Sequence, residues 1–273
     1  KALRRSEADL SNTYALRETL LPIIQKFQPH VIVNAAAYTA VDKAQTEQTI
    51  ALQINAQSVG ILAELAQSMN AVLVHYSTDY VFDGTGDKPW AEDDPTNPLS
   101  VYGQTKWLGE CAVRQYCQRH LILRTSWVVG IHGNNFLKTI LRLASERDSL
   151  RIVVDQIGTP TSTDLLAKVT LEALHTMLPA VRDDVRFGTY HVTPKGETSW
   201  HAYAQYVIDG AVKRGRDLKC KSESVEPIST SAYPLPAPRP ANSRLNTEKI
   251  RATFGIELPK WQLGVDAILD TLL

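Results

Sequence analysis

"HVIVNAAA", residues 30–37, decides the fold. A short β-branched run that ends in small residues reads as a buried strand. Upstream, "ALRETLLPIIQKFQ" (15–28) places Leu16, Leu20, Ile23, Ile24 and Phe27 at helical spacing, and Pro29 stops the helix. Downstream, residues 51–69 repeat apolar residues at Val59, Leu62, Leu65 and Met69, a second helix. "AVLVHYS" (71–77) is the next strand. A helix runs from about Pro98 to Arg119, with Pro98 near its first turn, and "LILRTS" (121–126) is a third strand. Strands alternating with helices of this length predict βαβ units, hence a doubly wound parallel α/β sheet with right-handed crossovers. In such sheets ligands bind beyond the carboxyl ends of the strands. Three strand ends therefore converge on one crevice: residues 34–37, Ser77-Thr78-Asp79 and Thr125-Ser126-Trp127.

Composition narrows the function. The 273 residues carry a formal net charge of zero, so no strong field draws nucleic acid or an anionic membrane. No apolar run reaches the roughly 18 residues of a membrane helix. Three cysteines without a C-x-x-C point to reduced thiols rather than to disulfides or metal. The seven histidines show no zinc-binding spacing, and no metal is expected. After about residue 194 proline becomes dense, in "EPISTSAYPLPAPRPANSRLN" (226–246). Amphipathic segments at 202–214 and 261–273 flank this stretch, which favours an ordered, loop-rich unit over disorder.

Within "LSVYGQTKWLGE" (99–110), Tyr102 and Lys106 stand four apart, one helical turn. Two readings compete. The pair is a solvated helix face, or it is a proton donor and the cation that tunes it. An unperturbed phenol has a pKa of about 10, and a neighbouring positive charge lowers it. Ser77 or Thr78, at the strand end, would supply an orienting hydroxyl. Such an assembly would protonate a carbonyl oxygen as a hydride reaches its carbon.

Five ordered blocks decide between these readings: "NAAAYTAVDKAQ", "HYSTDYVFDGTGDKPWAEDDPTNPLSVYGQTKWLGE", "LILRTSWVVGIHGNNF", "DQIGTPTSTDLLA" and "RPANSRLNTEKI". Together they resemble the dTDP-4-dehydrorhamnose reductase family of extended short-chain dehydrogenase/reductases, over essentially the whole chain. The resemblance implies a Rossmann-like sheet (residues 1–155, with 165–193 returning to it) and a smaller substrate domain (156–164 and 194–273). It implies a cytoplasmic enzyme that reduces a dTDP-sugar ketone with NADPH or NADH, with homodimerisation left open. Tyr102 would be the proton donor, Lys106 would bind the nicotinamide ribose and depress the Tyr102 pKa, and Thr78 would complete the triad. Asp9 and Leu10 would flank the adenine, and Ala37, Tyr38 and Thr39 would line the cofactor. Thr78, Asp79 and Trp127 would contact the sugar nucleotide, although Trp127 equally suits a packed aromatic. Asn55 is either part of the site architecture or a polar helix residue. Arg239 and Arg244 either grip a diphosphate or lie on the surface.

One departure stands out. No glycine precedes Gly60 and no G-x-x-G-x-x-G occurs, so the turn that cradles a pyrophosphate is not in these residues. The family has it at the extreme N-terminus, and the expectation is that the first βα unit is missing here. A chain of these residues alone is expected to bind NADPH weakly and to be unstable. Two rivals share the motifs. Sugar-nucleotide dehydratases resemble S-T-D-E, whereas Tyr80 follows Asp79 here; epimerases remain compatible. A regulatory subunit resembling the methionine adenosyltransferase β chain is the non-enzymatic alternative.

Overall fold

The computed structural model describes residues 1–177 and 184–273. Helix α1 (Thr13–Phe27) leads into strand β1 (Val31–Asn34). Two short helices, α2 (Val41–Ala44) and α3 (Gln48–Leu52), pass through a π-helical turn at Gln53–Gln57 into α4 (Ser58–Ser68). Then come β2 (Val72–Thr78), α5 (Val101–Tyr116) and β3 (His120–Thr125). The next stretch holds β4 (Val128–Val129), α6 (Phe136–Glu146), β5 (Leu150–Val153), β6 (Ile157–Gly158) and β7 (Thr161–Ser162). Helix α7 (Thr163–Met177) and β8 (Gly188–His191) follow. The chain closes with β9 (Thr198–Ser199), α8 (Trp200–Lys213), β10 (Val225–Ile228), α9 (Glu248–Phe254) and α10 (Trp261–Leu272).

The main sheet has the order β1-β2-β3-β8, and every pairing in it is parallel. Side-chain alternation sends β2 and β3 residues to two separate cores. Leu73 and Ile122 meet α1, α4 and α5 through Leu16, Leu20, Val59, Leu62 and Val113. Val72, Val74, Leu121 and Leu123 meet α7 and α9 through Val169, Ala173, Met177 and Ile250. Burying both faces, at about 1.5–3 kcal/mol per large aliphatic side chain, is what a parallel sheet requires. The doubly wound α/β class is therefore the observed one; α7 and β8 fall mostly within the 165–193 stretch, of which residues 178–183 lie outside the described residues.

A third core sits among α6, α8 and α10, around Leu137, Ile140, Tyr203, Val207 and Trp261. Val129, Leu137, Ile140, Ala144 and Leu150 belong to it, although they precede residue 156. Ile250, Ile256 and Leu258, far beyond residue 194, pack instead on the sheet. The proline-rich stretch is ordered: β10 pairs in parallel with β5, and Ala237 is buried.

The long helix expected over 51–69 is divided by the π turn. There Asn55 is buried and tied to a neighbouring loop, a use of π turns that recurs at functional sites. Helix α5 starts three residues after Pro98, because the Ser100 side chain caps it by accepting from Gly103 N.

Candidate active site

Tyr102 lies in the first turn of α5, and Thr78 ends β2. Helix α5 is seated deeply because two glycines replace side chains on its buried face. A Cβ at Gly103 would lie 2.2 Å from Tyr80 O, and one at Gly109 2.2 Å from Asn55 O. Lys106 falls between these glycines and is brought inside, 2% exposed.

The structure brings Thr78, Asp79, Tyr102 and Lys106 to one end of β2. Burial raises the Tyr102 phenol to about 12; a hydrogen bond with Thr78 lowers it and the charge of Asp79 raises it. Lys106 Nζ donates to the Tyr76 carbonyl at 2.6 Å and lies 3.3 Å from His75 Nε2. Burial lowers Lys106 to about 8, while Glu110, one turn further along α5, works in the opposite direction. Asp79 is pushed up to about 6 by burial, against hydrogen bonds from Ser243 and Thr78. Its Oδ1 is 3.1 Å from Thr78 Oγ1. Tyr102 is thus a fully protonated donor at neutral pH, and its conjugate phenolate needs a cation.

Asn55 belongs to the architecture of the site. Its Oδ1 accepts from Tyr38 N at 2.8 Å, and its Nδ2 donates to Tyr38 O and to Thr105 Oγ1, each at 3.1 Å. That fixes the loop holding Ala37, Tyr38 and Thr39 against α5. Ser58, three residues on, donates to Leu10 O. The Asp9 carboxylate accepts from Ser11 N at 2.9 Å and Ser11 Oγ at 2.7 Å, which holds its pKa below the usual range. One helical stretch, 55–58, therefore anchors both segments expected to line a cofactor.

Trp127 has a left-handed backbone, φ 48°. Its ring stacks on Trp200 at 3.6 Å between centroids, and only a glycine fits beneath it at Gly158, where a Cβ would lie 2.6 Å from the indole. It is packed as an aromatic against Trp200 and Gly158. Arg239 pairs with Asp42 at 2.7 Å, and Arg244 with Glu197 at 2.6 Å.

Sequence spacing does not single out four further residues. Tyr80 meets the Tyr102 ring edge-on, with centroids 5.4 Å apart. Glu110 and Arg124 form a buried, two-pronged ion pair with contacts of 2.9 and 2.8 Å, locking α5 to β3. His75 lies beneath Lys106. The i, i+4 ladder Tyr102-Lys106-Glu110 was the one available signal, and it reaches only Glu110. Tyr80 also lines a cavity of about 780 Å³ in the C-terminal lobe, with Phe136, Trp200, Tyr233, Arg151 and Arg239 among its walls.

The residues suit the nicotinamide half of a dinucleotide. A buried ammonium and a half-buried phenol share a strand end with Thr125 Oγ1, which is buried without a partner among the described residues and lies directly across from Thr78 in the sheet register. Among the described residues no group of three or more His, Cys, Asp or Glu is placed to hold a metal. No helix there is long and apolar enough to cross a membrane.

A family model described as "RmlD substrate binding domain" matches residues 1–273. The chain is 51% identical over 266 residues to the dTDP-4-dehydrorhamnose reductase of Salmonella typhimurium, covering 97% of this chain and 85% of that one. It is 49% identical over 264 residues to the enzyme of the same name from Escherichia coli K12, with the same shares covered. A crystal structure of dTDP-4-dehydrorhamnose reductase from Bacillus anthracis in complex with NADP superimposes with a TM-score of 0.88 at 33% identity, covering 98% of this chain and 89% of that one.

Proposed function

The chain belongs to the RmlD substrate binding domain family, and from that premise we propose that it reduces the C4 ketone of dTDP-4-dehydro-L-rhamnose to dTDP-L-rhamnose. The observation that carries the reading is the cluster of buried Thr78 and Lys106 with half-buried Tyr102 at the carboxyl end of β2.

NADPH or NADH, when bound, supplies the hydride. Tyr102 and Lys106 would hold its nicotinamide ribose, Ala37, Tyr38 and Thr39 its flank, and Asp9 and Leu10 its adenine end. The NADP complex of the Bacillus anthracis relative supports that choice of cofactor. Tyr102 donates its phenolic proton to the ketone oxygen as charge develops there, a contribution of roughly 10²–10⁴-fold. Thr78 orients the phenol through its hydrogen bond. Lys106 supplies the positive charge that the resulting phenolate needs. Burial excludes water and strengthens each of these interactions. Thr78 and Asp79 would grip the sugar, and Trp127 would wall its site. The adjoining cavity, with aromatic walls and arginines, suits a nucleoside diphosphate. Arg239 would exchange Asp42 for the diphosphate.

The reading includes a division of labour between the sheet, on the cofactor side, and the C-terminal lobe, on the substrate side. It includes a cytoplasmic location and leaves a second copy of the chain as the one macromolecular partner. Tyr80 stands where the S-T-D-E pattern of dehydratases has its glutamate, so a second carboxylate for elimination is missing beside Asp79. Incubation with dTDP-4-dehydrorhamnose and NADPH tests the reading. Loss of nicotinamide absorbance matched by alcohol formation is expected; isomer formation without cofactor oxidation overturns it.

A further inference from the structure

His75 sits in β2, fully buried, one residue before the carbonyl that binds Lys106. Its ring nitrogens reach two different elements. Nδ1 is 3.2 Å from the Asn34 side chain on β1, and Nε2 is 3.3 Å from Lys106 Nζ on α5. Lys106 Nζ also donates to the Tyr76 carbonyl at 2.6 Å. An ammonium has three N–H donors and no acceptor. Strand β2 takes two of them, through the His75 ring and the Tyr76 carbonyl, and leaves one for a ligand. A lysine this deeply buried keeps its charge only where polar groups replace its water.

The groups facing this pair are few. His75 and the Tyr76 carbonyl face Lys106 from β2, and Glu110 acts on it from α5 itself. Asn34 faces His75 from β1, and Lys106 faces it from α5. Burial first, and the Lys106 charge second, hold His75 neutral well below the usual histidine range. A neutral imidazole is the form that accepts at Nε2. Asn34 turns Nδ2 toward His75 Nδ1 and keeps Oδ1 for Ala36 N at 3.3 Å. Donation from Lys106 to Nε2 requires the ring proton on Nδ1, and hence the Asn34 amide turned over so that Oδ1 meets it.

Resting on the reductase reading above, we propose that His75 is a positioning residue: its imidazole, itself oriented by Asn34, holds the Lys106 ammonium against β2, one helical turn from Tyr102, and sets the pH at which it loses its proton. A merely structural histidine would leave the titration of Lys106 unchanged when replaced.

The test uses the whole protein and three variants. His75→Leu removes the acceptor. His75→Asn keeps a polar group too short to reach Lys106, and serves if the leucine variant does not fold. His75→Gln keeps an acceptor near the Nε2 position. The first readout is the Lys106 pKa, from side-chain NMR of lysine-labelled protein without substrate, assigned with Lys106→Arg. Loss of the acceptor lowers that pKa by about one unit, a tenfold change in the equilibrium. His75→Gln returns it to near the wild-type value. The second readout is the pH profile of kcat, whose basic limb moves to lower pH in the leucine and asparagine variants and returns with glutamine. An unchanged Lys106 titration in either of the first two variants overturns the proposal. If the wild type binds NADPH and substrate but oxidises no NADPH, the reductase reading fails, while the NMR titration still decides the role of His75.

Discussion

The crevice at the end of β2 and the cavity of the C-terminal lobe adjoin at Tyr80, yet they are built on opposite plans. In the crevice the reactive groups are buried or half-buried and displaced from their usual pKa: Tyr102 up to about 12, Lys106 down to about 8, Asp79 up to about 6. Helix α5 is locked there by glycines at its contacts and by the Glu110–Arg124 pair. In the cavity the walls are aromatic and proline-rich, and its arginine Arg239 pairs with a half-exposed Asp42. Proton transfer needs fixed groups in a dry site. Recognition of a large ligand needs shape and exchangeable charges. The contrast predicts that damage to the crevice removes turnover or folding, whereas damage to the cavity weakens binding.

The largest effect belongs to Tyr102→Phe, which keeps the ring and removes the proton. Its kcat falls by roughly 10²–10⁴-fold with little change in substrate KM, measured by nicotinamide absorbance. Near-normal turnover would break the comparison at its centre. Next comes Arg124→Met, which takes the two-pronged, buried partner from Glu110 and leaves it only the more exposed Arg114 at 3.0 Å. Breaking such a pair costs about 3–5 kcal/mol, read by chemical denaturation. A loss under about 1 kcal/mol would mean that α5 is held by packing alone.

Asp79→Asn gives a smaller change of opposite sign. A carboxyl raised from 3.8 to about 6 stabilises the fold fully below 3.8 and loses that contribution as pH rises through 6. At pH 7 the wild type therefore holds a costly buried charge. The amide variant is more stable there by of order 2 kcal/mol, which raises Tm by roughly 5 °C, and its advantage shrinks as pH falls toward 4. Its turnover drops all the same, because the charge serves the site. Equal melting of the two proteins at every pH would show Asp79 to be solvated.

Arg239→Ala has the least effect on the fold, under about 1 kcal/mol, because its partner Asp42 is partly exposed. Its signature is a substrate KM raised about tenfold with kcat nearly unchanged. A large fall in kcat would place Arg239 with the crevice rather than the cavity.

The two regions also differ in how far they were legible in the sequence. Short apolar, β-branched runs mark β1, β2 and β3 and a 3.6-residue period marks α1, because a sheet buried on both faces leaves little freedom of composition. Tyr102, Lys106 and Thr78 follow from their places at strand and helix ends. His75 and Arg124 do not, because a polar residue inside a buried strand gives no sign of its partner until α5 is laid over it. The π turn was invisible for a similar reason: Asn55 is set by a loop 17 residues away, at Tyr38. The C-terminal lobe was the least legible. Its core joins residues as far apart as Val129 and Leu269 through aromatic stacking, which carries no short-range period.

The central claim is that hydride reaches a sugar C4 while Tyr102 protonates its oxygen. NADPH carrying deuterium at the transferring position, offered with dTDP-4-dehydrorhamnose to the wild type and to Tyr102→Phe, tests it most directly. The account predicts one deuterium at C4 of dTDP-L-rhamnose per cofactor oxidised by the wild type, and the same labelling at a rate lower by orders of magnitude in the variant. Product formed without deuterium at C4, or labelled equally fast by both proteins, would contradict it.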